Sequence, residues 1–477
     1  MTMTIPQAIN TILLLAAAAA LLPIGALCLE CLAALWPGRR RRVGWVKRSV
    51  APPITENSRW GCASLDPPYA NATSEDAPSR PRAAVLIPAH DEQLVIEHTL
   101  QAIIPTLSAA DRVLVVADNC TDRTAELARR AGAEVVERND PPRRGKGYAL
   151  QRGFRHLADD PPDVVVAIDA DCLPEPGAID LLAHCAWREH RPVQARNLTD
   201  RRLANGPIEA VSILANRVTN LVRPLGLMRL GAPCRMTGTG MAIPWPLVKE
   251  ADPAGGNLVE DMQLGIDLAL RGHLPLFCPE AGVSSAMPES YRAFASQRTR
   301  WEHGHLRAAL RQVPRLLWAA LRRRSWPLMA MAVDLSIPPL TLLVAIWSAL
   351  AVLSCLAWRL GASGLPAVLL AGGGVALAVS LGAAWTVFCR RQVPPRALAA
   401  VPLYMLCKLP IYARFLFHRQ NSWVRTERDS PDPISHAPHN LGYTLGDEIR
   451  SHNHGEERDR TGRKAGTAPI IRSGRTH

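Results

Sequence analysis

Three stretches of the chain are apolar with no polar period: Thr11–Trp36, Ile337–Trp358 and Gly364–Cys389. Each reaches the ~20 apolar residues that cross a bilayer core. Between the first and second the pattern changes. Ala83–Pro88, Arg112–Ala117, Ala133–Glu137 and Asp163–Ile168 are short and rich in β-branched residues, as strands are. Gln93–Ile104, Thr121–Ala131 and Lys146–Leu157 lie between them and repeat their apolar residues at helical spacing. This alternation predicts an α/β domain, a mostly parallel sheet with helices on both faces. Such sheets bind ligands at the C-terminal ends of their strands. Chemistry is therefore expected just after Ile87, Ala117 and Ile168.

Charge orients the apolar stretches. The first is followed, not preceded, by basic residues (Arg39 to Arg42, Lys47, Arg48), which predicts an uncleaved anchor with the basic side in the cytoplasm. Arg390 and Arg391 close the third stretch, so the second and third form a hairpin out and back. Ala397–Phe417 is apolar but holds Lys408, Pro410 and Arg414. It is expected to lie along the membrane interface or re-enter, because a fourth span would carry the Arg-rich segment behind it outside. The segments are then an anchor (1–38), a basic linker (39–81), a cytoplasmic α/β domain (82–325), a C-terminal membrane region (326–428) and a disordered polar tail (429–477). The inner, cytoplasmic membrane is the expected location, with several passes.

The chain has 477 residues, 48% hydrophobic, with 55 basic against 42 acidic residues, a net charge of +13. Global disorder is excluded by the apolar content. Nucleic acid is not an expected partner: the basic residues gather at membrane edges and do not alternate with aromatics. The 11 cysteines are scattered and odd in number, which excludes a disulfide scaffold. Cys28 and Cys31 have redox spacing but lie in the anchor, and no role is assigned to them.

Polar residues cluster where the sheet should be open. Pro88-Ala89-His90-Asp91-Glu92 follows the first strand, although Asp91 and Glu92 equally suit a helix start. Asp118 stands at the end of the second strand. Asp169-Ala170-Asp171 follows a wholly apolar strand; in the turn that ends it the two carboxylates can converge on a hard divalent cation such as Mg²⁺ or Mn²⁺. Gly145-Lys146-Gly147 lets backbone and ammonium approach an anion, or is a basic surface turn. Glu260-Asp261 opens a helical stretch, again as a helix start or a functional pair. Gln297-Arg298-Thr299-Arg300-Trp301 lies on an Arg-rich helix suited to a membrane surface. Glu302-His303-Gly304-His305 has no second cluster at zinc spacing.

The order of these motifs is more specific than any one of them. PAHDE, a strand-end Asp, GKGYAL, DADC, TGTG (Thr237–Gly240), VED (Val259–Asp261) and QRTRW together resemble the membrane-bound family 2 glycosyltransferases, the group of cellulose, chitin, hyaluronan and poly-N-acetylglucosamine synthases. Ceramide glucosyltransferases share a similar set. The resemblance covers about residues 82–310. It implies a GT-A nucleotide-sugar-binding domain, inverting transfer, and a UDP- or GDP-sugar donor with Mg²⁺ or Mn²⁺. It also implies roles. Asp261 is the catalytic base. His90, Glu92, Asp118, Lys146, Asp169, Gln297 and Arg300 bind the nucleotide sugar. Thr239, Glu260 and Trp301 bind the acceptor. Asp171 and Asp169 hold the metal, Asp171 the more direct ligand. The family often has Asn where this chain has Asp91. The acceptor is expected to be a glycan or a lipid-linked glycan for a cell-surface polysaccharide. Glycosylation of a membrane lipid, or an inactive nucleotide or polysaccharide sensor, are the alternatives. Membrane lipid is a partner in every case, and a homo-oligomer or a polysaccharide-synthesis complex would supply further membrane helices.

Overall fold

The computed structural model describes residues 5–36, 80–199, 206–250, 259–285 and 291–417. The basic run after the anchor, nearly all of the 39–81 linker and the 429–477 tail lie outside the described residues.

Eight strands form one sheet: β1 (Ala83–Ala89), β2 (Arg112–Asp118), β3 (Glu134–Arg138), β4 (Val164–Ala167), β5 (Cys172–Pro174), β6 (Val193–Thr199), β7 (Met241–Pro244) and β8 (Leu276–Ser285). Their spatial order is β3-β2-β1-β4-β7-β6-β8-β5. The first half is parallel: β1 pairs with β2 and β4, and β2 with β3. The expected mostly parallel sheet holds there, but the second half is mixed. β7 is antiparallel to β4 and β6, and β5 is antiparallel to β8. The other six strands share one direction, so their C-terminal ends open on one edge. β7 runs the other way, and that brings the turn preceding it to the same edge.

Both faces are covered, as expected. Ile96, Leu100, Ile103, Leu127 and Leu182 pack on one face against Val85, Ile87 and Val115. Leu150, Phe154, Leu157, Leu264 and Leu268 pack on the other against Leu86, Leu114 and Val165. Strand alternation sends neighbouring residues to opposite faces, which is why uninterrupted apolar strands need helices on both. Full burial of each such side chain is worth roughly 1.5–3 kcal/mol. Gly153 permits the close approach of its helix, Lys146–Leu157: a Cβ there would come within 2.4 Å of Leu86.

Four helices are long and apolar enough to cross a membrane: Gln7–Leu35, Leu340–Arg359, Leu365–Phe388 and Pro395–Phe415. The last was expected to lie along the interface; in length and composition it also suffices to span. Ile24 and Leu27 of the first helix join Leu221, Leu225, Leu377 and Phe388 in one apolar cluster. The anchor is thus packed against the helix Arg223–Arg229, where Gly226 leaves no room for a Cβ beside the Glu30 carbonyl. A helix not foreseen from the sequence, Trp326–Ser336, comes in the chain between the long helix Tyr291–Arg323 and the apolar pair Leu340–Arg359 and Leu365–Phe388.

Candidate functional site

The parallel strands deliver three polar turns to one edge. After β1 and β2, Asp91 and Asn119 both adopt left-handed backbone (φ 52° each), a conformation Asp and Asn tolerate better than other side chains. This accounts for Asp91 standing where Asn is common. Its carboxylate does not cap the following helix. It accepts from the Thr121 backbone N–H at 2.6 Å and ties the two turns together. His90 Nδ1–H donates to the Asp118 carbonyl at 2.6 Å. The Glu92 backbone N–H donates to Thr124 Oγ1 at 2.7 Å. The Asp118 carboxylate accepts from Arg138 at 2.5 Å and from Asn119 Nδ2 at 3.0 Å.

β4 ends one residue before Ile168, and the chain turns through Asp169, Ala170 and Asp171. Because Ala167 pairs with Met241 in antiparallel register, the Thr237–Gly240 turn lies opposite this segment. The Asp169 backbone N–H donates to Thr239 Oγ1 at 3.1 Å. Gln194 of β6 braces the turn from behind, accepting from the Thr237 N–H and donating to the Thr239 carbonyl, both at 2.8 Å. Asp169, Asp171 and Cys172 present ligand atoms that all lie within 4.8 Å of one another. The two carboxylates fit a hard divalent cation. Cys172 does not: burial pushes its thiol well above the usual range, so it stays protonated. Asp91, Cys120 and Asp122 form a second compact group. Their carboxylates are engaged with the Thr121, Thr124 and Gln93 backbone N–H groups.

Lys146 begins its helix inside the site. Its ammonium donates to Asp169 and, at 2.7 Å, to the Gly238 carbonyl. Burial alone would lower its pKa, but the Asp169, Asp261 and Glu260 carboxylates outweigh it and hold it above the ordinary lysine value. Gly238 has φ 94°, and a Cβ there would meet Asp261 Oδ2 at 2.7 Å and Lys146 Nζ at 3.2 Å. Only glycine lets these two groups converge.

Asp261 is the second residue of the helix Glu260–Leu270, and its Oδ1 accepts from the Met262 N–H at 2.8 Å. Its pKa is raised, first by burial, with the Lys146 ammonium pulling the other way. Glu260 is pushed up to about 7 by burial and by the neighbouring Asp261 charge. Asp261 therefore holds its proton more tightly than a solvated carboxylate.

Gln297, Arg300 and Trp301 sit at i, i+3 and i+4 on the helix Tyr291–Arg323 and share a face. With them, His90, Glu92, Asp118, Lys146, Asp169, Asp171, Thr239, Glu260 and Asp261 all line one cavity of about 410 Å³. The structure therefore gathers every candidate residue in one place. Among the described residues the Glu302–His305 run forms no metal-ligand group: His303 bonds the Ile411 carbonyl at 2.8 Å and His305 the Ile337 carbonyl at 3.0 Å. Glu302 is paired with Lys408, which explains how a lysine is accommodated in so apolar a helix. Sequence reasoning missed Arg138, Gln194 and the cavity-lining Arg223 and Arg235. It also passed over Asn216, Thr219, Asn220 and Arg223, whose i, i+3, i+4, i+7 spacing in an apolar stretch was a readable signal.

Residues 81–304 match the family model "Glycosyltransferase like family 2". The chain is 30% identical over 256 residues to the probable glycosyltransferase YdaM of Bacillus subtilis, covering 48% of this chain and 57% of that one. It is 28% identical over 243 residues to the probable glucomannan 4-beta-mannosyltransferase 10 of Arabidopsis thaliana, covering 47% and 43% respectively. The chain thus spans about half the length of the curated relatives it matches. Among solved structures it is similar to the mannosyltransferase PcManGT of Pyrobaculum calidifontis in complex with GDP-Man and Mn²⁺. There the TM-score is 0.49 and the identity 20%, over 86% of this chain and 100% of that one.

Proposed function

Starting from residues 81–304 as a family 2 glycosyltransferase domain, we propose that this chain is an inverting glycosyltransferase. It moves a sugar from a nucleotide-diphosphate sugar to a glycan acceptor at the cytoplasmic face of a membrane. The observation that carries this reading is the convergence of Lys146, Asp169 and Asp261 around Gly238, in a cavity that also holds Asp118, Asp171, Arg300 and Trp301.

Asp261 takes the proton of the acceptor hydroxyl as that oxygen attacks the anomeric carbon. The bond from the anomeric carbon to the diphosphate oxygen breaks, and its electron pair leaves with the nucleotide. A raised pKa suits a base working near neutral pH better than an ordinary aspartate would. Asp171, with Asp169, would hold Mg²⁺ or Mn²⁺, which would supply charge neutralisation at the diphosphate. Arg300 suits a bidentate grip on phosphate, and the Lys146 ammonium adds a fixed positive charge. Trp301 offers an aromatic face to a sugar ring, and Asp118 with its Arg138 partner borders the nucleoside. No covalent intermediate is needed, so no nucleophilic Ser or Cys is required.

The test is transfer by purified protein in lipid, with radiolabelled UDP- and GDP-sugars and Mg²⁺ or Mn²⁺, read by product size and anomeric configuration. Transfer with inversion from at least one donor is expected. Retention of configuration, or no transfer from any donor, would overturn the reading.

A further inference from the structure

One wall of the cavity serves none of these roles. Asn197 of β6 lines it, together with Asn216, Thr219 and Asn220. The last three flank and occupy a π-helical turn, Val218–Val222, between the helices Pro207–Arg217 and Arg223–Arg229. Such turns are rare and recur at functional sites. Here the turn buries Val218, Leu221 and Val222 against the anchor helix while its polar face borders the cavity.

The amides are held in place but not used up. Asn220 Nδ2 donates to the Asn197 carbonyl at 3.0 Å, and Asn216 Oδ1 accepts from the Thr199 N–H at 3.2 Å. This leaves Asn216 its amide donors and Asn220 its oxygen. Asn197 Oδ1 and the neighbouring Thr237 Oγ1 are buried without a hydrogen-bond partner among the described residues. A buried oxygen left without a partner is costly, so the wall is built for something that completes it. Groups that both donate and accept are the complement of sugar hydroxyls.

Charge narrows the ligand further. Three of the cations that line the cavity are already neutralised. Arg223 pairs with Glu30 at 2.8 Å and Asp334 at 2.6 Å, Arg235 pairs with Asp334 at 2.7 Å, and Lys408 pairs with Glu302. Burial, with Arg235 and Arg223 alongside, pushes His305 down to about 3, so it stays neutral. A phosphate or carboxylate would find Arg223, Arg235 and Lys408 already paired, and a lipid chain would leave the amides unsatisfied.

We propose that Asn197, Asn216, Thr219 and Asn220 bind an uncharged sugar unit of the acceptor, one that lies beyond the unit being extended. This rests on the transferase reading and makes the acceptor a neutral oligosaccharide rather than an anionic lipid.

Thr219→Val is the cleanest test, because the Thr219 side chain has no hydrogen bond among the described residues and valine keeps its shape. With the full chain in lipid and the best donor from the panel, transfer is measured to neutral β-linked oligosaccharides of one to five units and to a polyprenyl phosphate. In the wild type, kcat/KM rises when a second or third unit is added. Thr219→Val and Asn220→Ala each cut that rise by about 3–10-fold, the range for one lost neutral hydrogen bond, chiefly through KM. A wild type indifferent to acceptor length, a Thr219→Val variant that keeps the full rise, or transfer to the polyprenyl phosphate alone would each overturn the subsite while leaving the transferase intact. Calorimetric titration with a neutral pentasaccharide reads the subsite separately. If no donor is turned over, saturable binding weakened by Thr219→Val still supports it, and absence of binding removes it.

Discussion

Replacing Asp261 with Asn separates a helix-start residue from a catalytic base. Asp261 Oδ1 accepts from the Met262 N–H at 2.8 Å, a bond the Asn carbonyl oxygen can keep. Asn and Asp are about equally good at helix starts, so the helix should lose no more than roughly 1 kcal/mol. Burial disfavours the Asp261 charge, and the neutral amide escapes that cost while giving up the attraction of Lys146. These two changes oppose each other, so thermal stability should move little. Catalysis should not be spared, because the amide cannot take the acceptor's proton, and positioned base catalysis contributes about 10²–10⁴-fold. The assay measures transfer rate, nucleotide affinity and melting temperature on the same preparation. The expected result is a transfer rate lower by about 10²–10⁴-fold, with nucleotide affinity within about threefold of wild type. A variant with wild-type stability that keeps a tenth or more of its transfer rate would place the base elsewhere.

Asp171→Asn should abolish metal-dependent nucleotide binding, since a neutral amide is a poorer ligand for Mg²⁺ or Mn²⁺; unchanged calorimetric affinity with metal present would refute it. Transfer should fall as pH is lowered, with a midpoint above that of an ordinary aspartate, because burial raises the Asp261 pKa. In pH–rate profiles Glu260→Gln should move that midpoint down by removing a negative neighbour, and Lys146→Met should move it up by removing the cation. Folded Glu260 keeps its proton up to about 7, against 4.5 for the ordinary side chain. Its contribution to stability is therefore complete below about 4.5 and lost as pH rises through about 7, a fall in melting temperature that Glu260→Gln should flatten. Gly238→Ala should cut transfer more than tenfold, because its Cβ would come within 2.7 Å of Asp261 Oδ2 at a φ of 94° that alanine resists; a fully active alanine variant would show that this convergence is not needed.

Where local pattern and local structure coincide, the sequence was easy to read. The helix Lys146–Leu157 begins and ends where its apolar spacing does, and β1, β2 and β4 lie within a residue or two of their apolar runs. The second half of the sheet was harder. β6 reads Val-Gln-Ala-Arg-Asn-Leu-Thr, and a register shift between Ala195 and Arg196 breaks the two-residue alternation that marks a strand. β5 and β7 have only three and four residues. Candidate residues were legible because chemistry clusters at strand ends and in short motifs. Their partners were not: Asp334 in an apolar helix makes sense only beside Arg223, 111 residues away in the chain. Likewise the Glu302–His305 run looks like a metal site until Lys408, Ile411 and Ile337 supply its bonds.

The pairing of Glu30 with Arg223 has a bearing on where this protein can be cut. The first apolar helix invites removal as a route to a water-soluble form of the protein. Yet Glu30 and Asp334 together balance Arg223 and Arg235 in one buried group, and the Arg229 guanidinium donates to the Ala33 carbonyl at 3.2 Å. Without the helix, two buried arginines would share a single carboxylate, a deficit that costs several kcal/mol when a charge is left unpaired. The first helix is therefore a structural member of the fold. Shortening the chain to gain solubility would remove one of the two carboxylates beneath Arg223 and Arg235, both of which line the cavity.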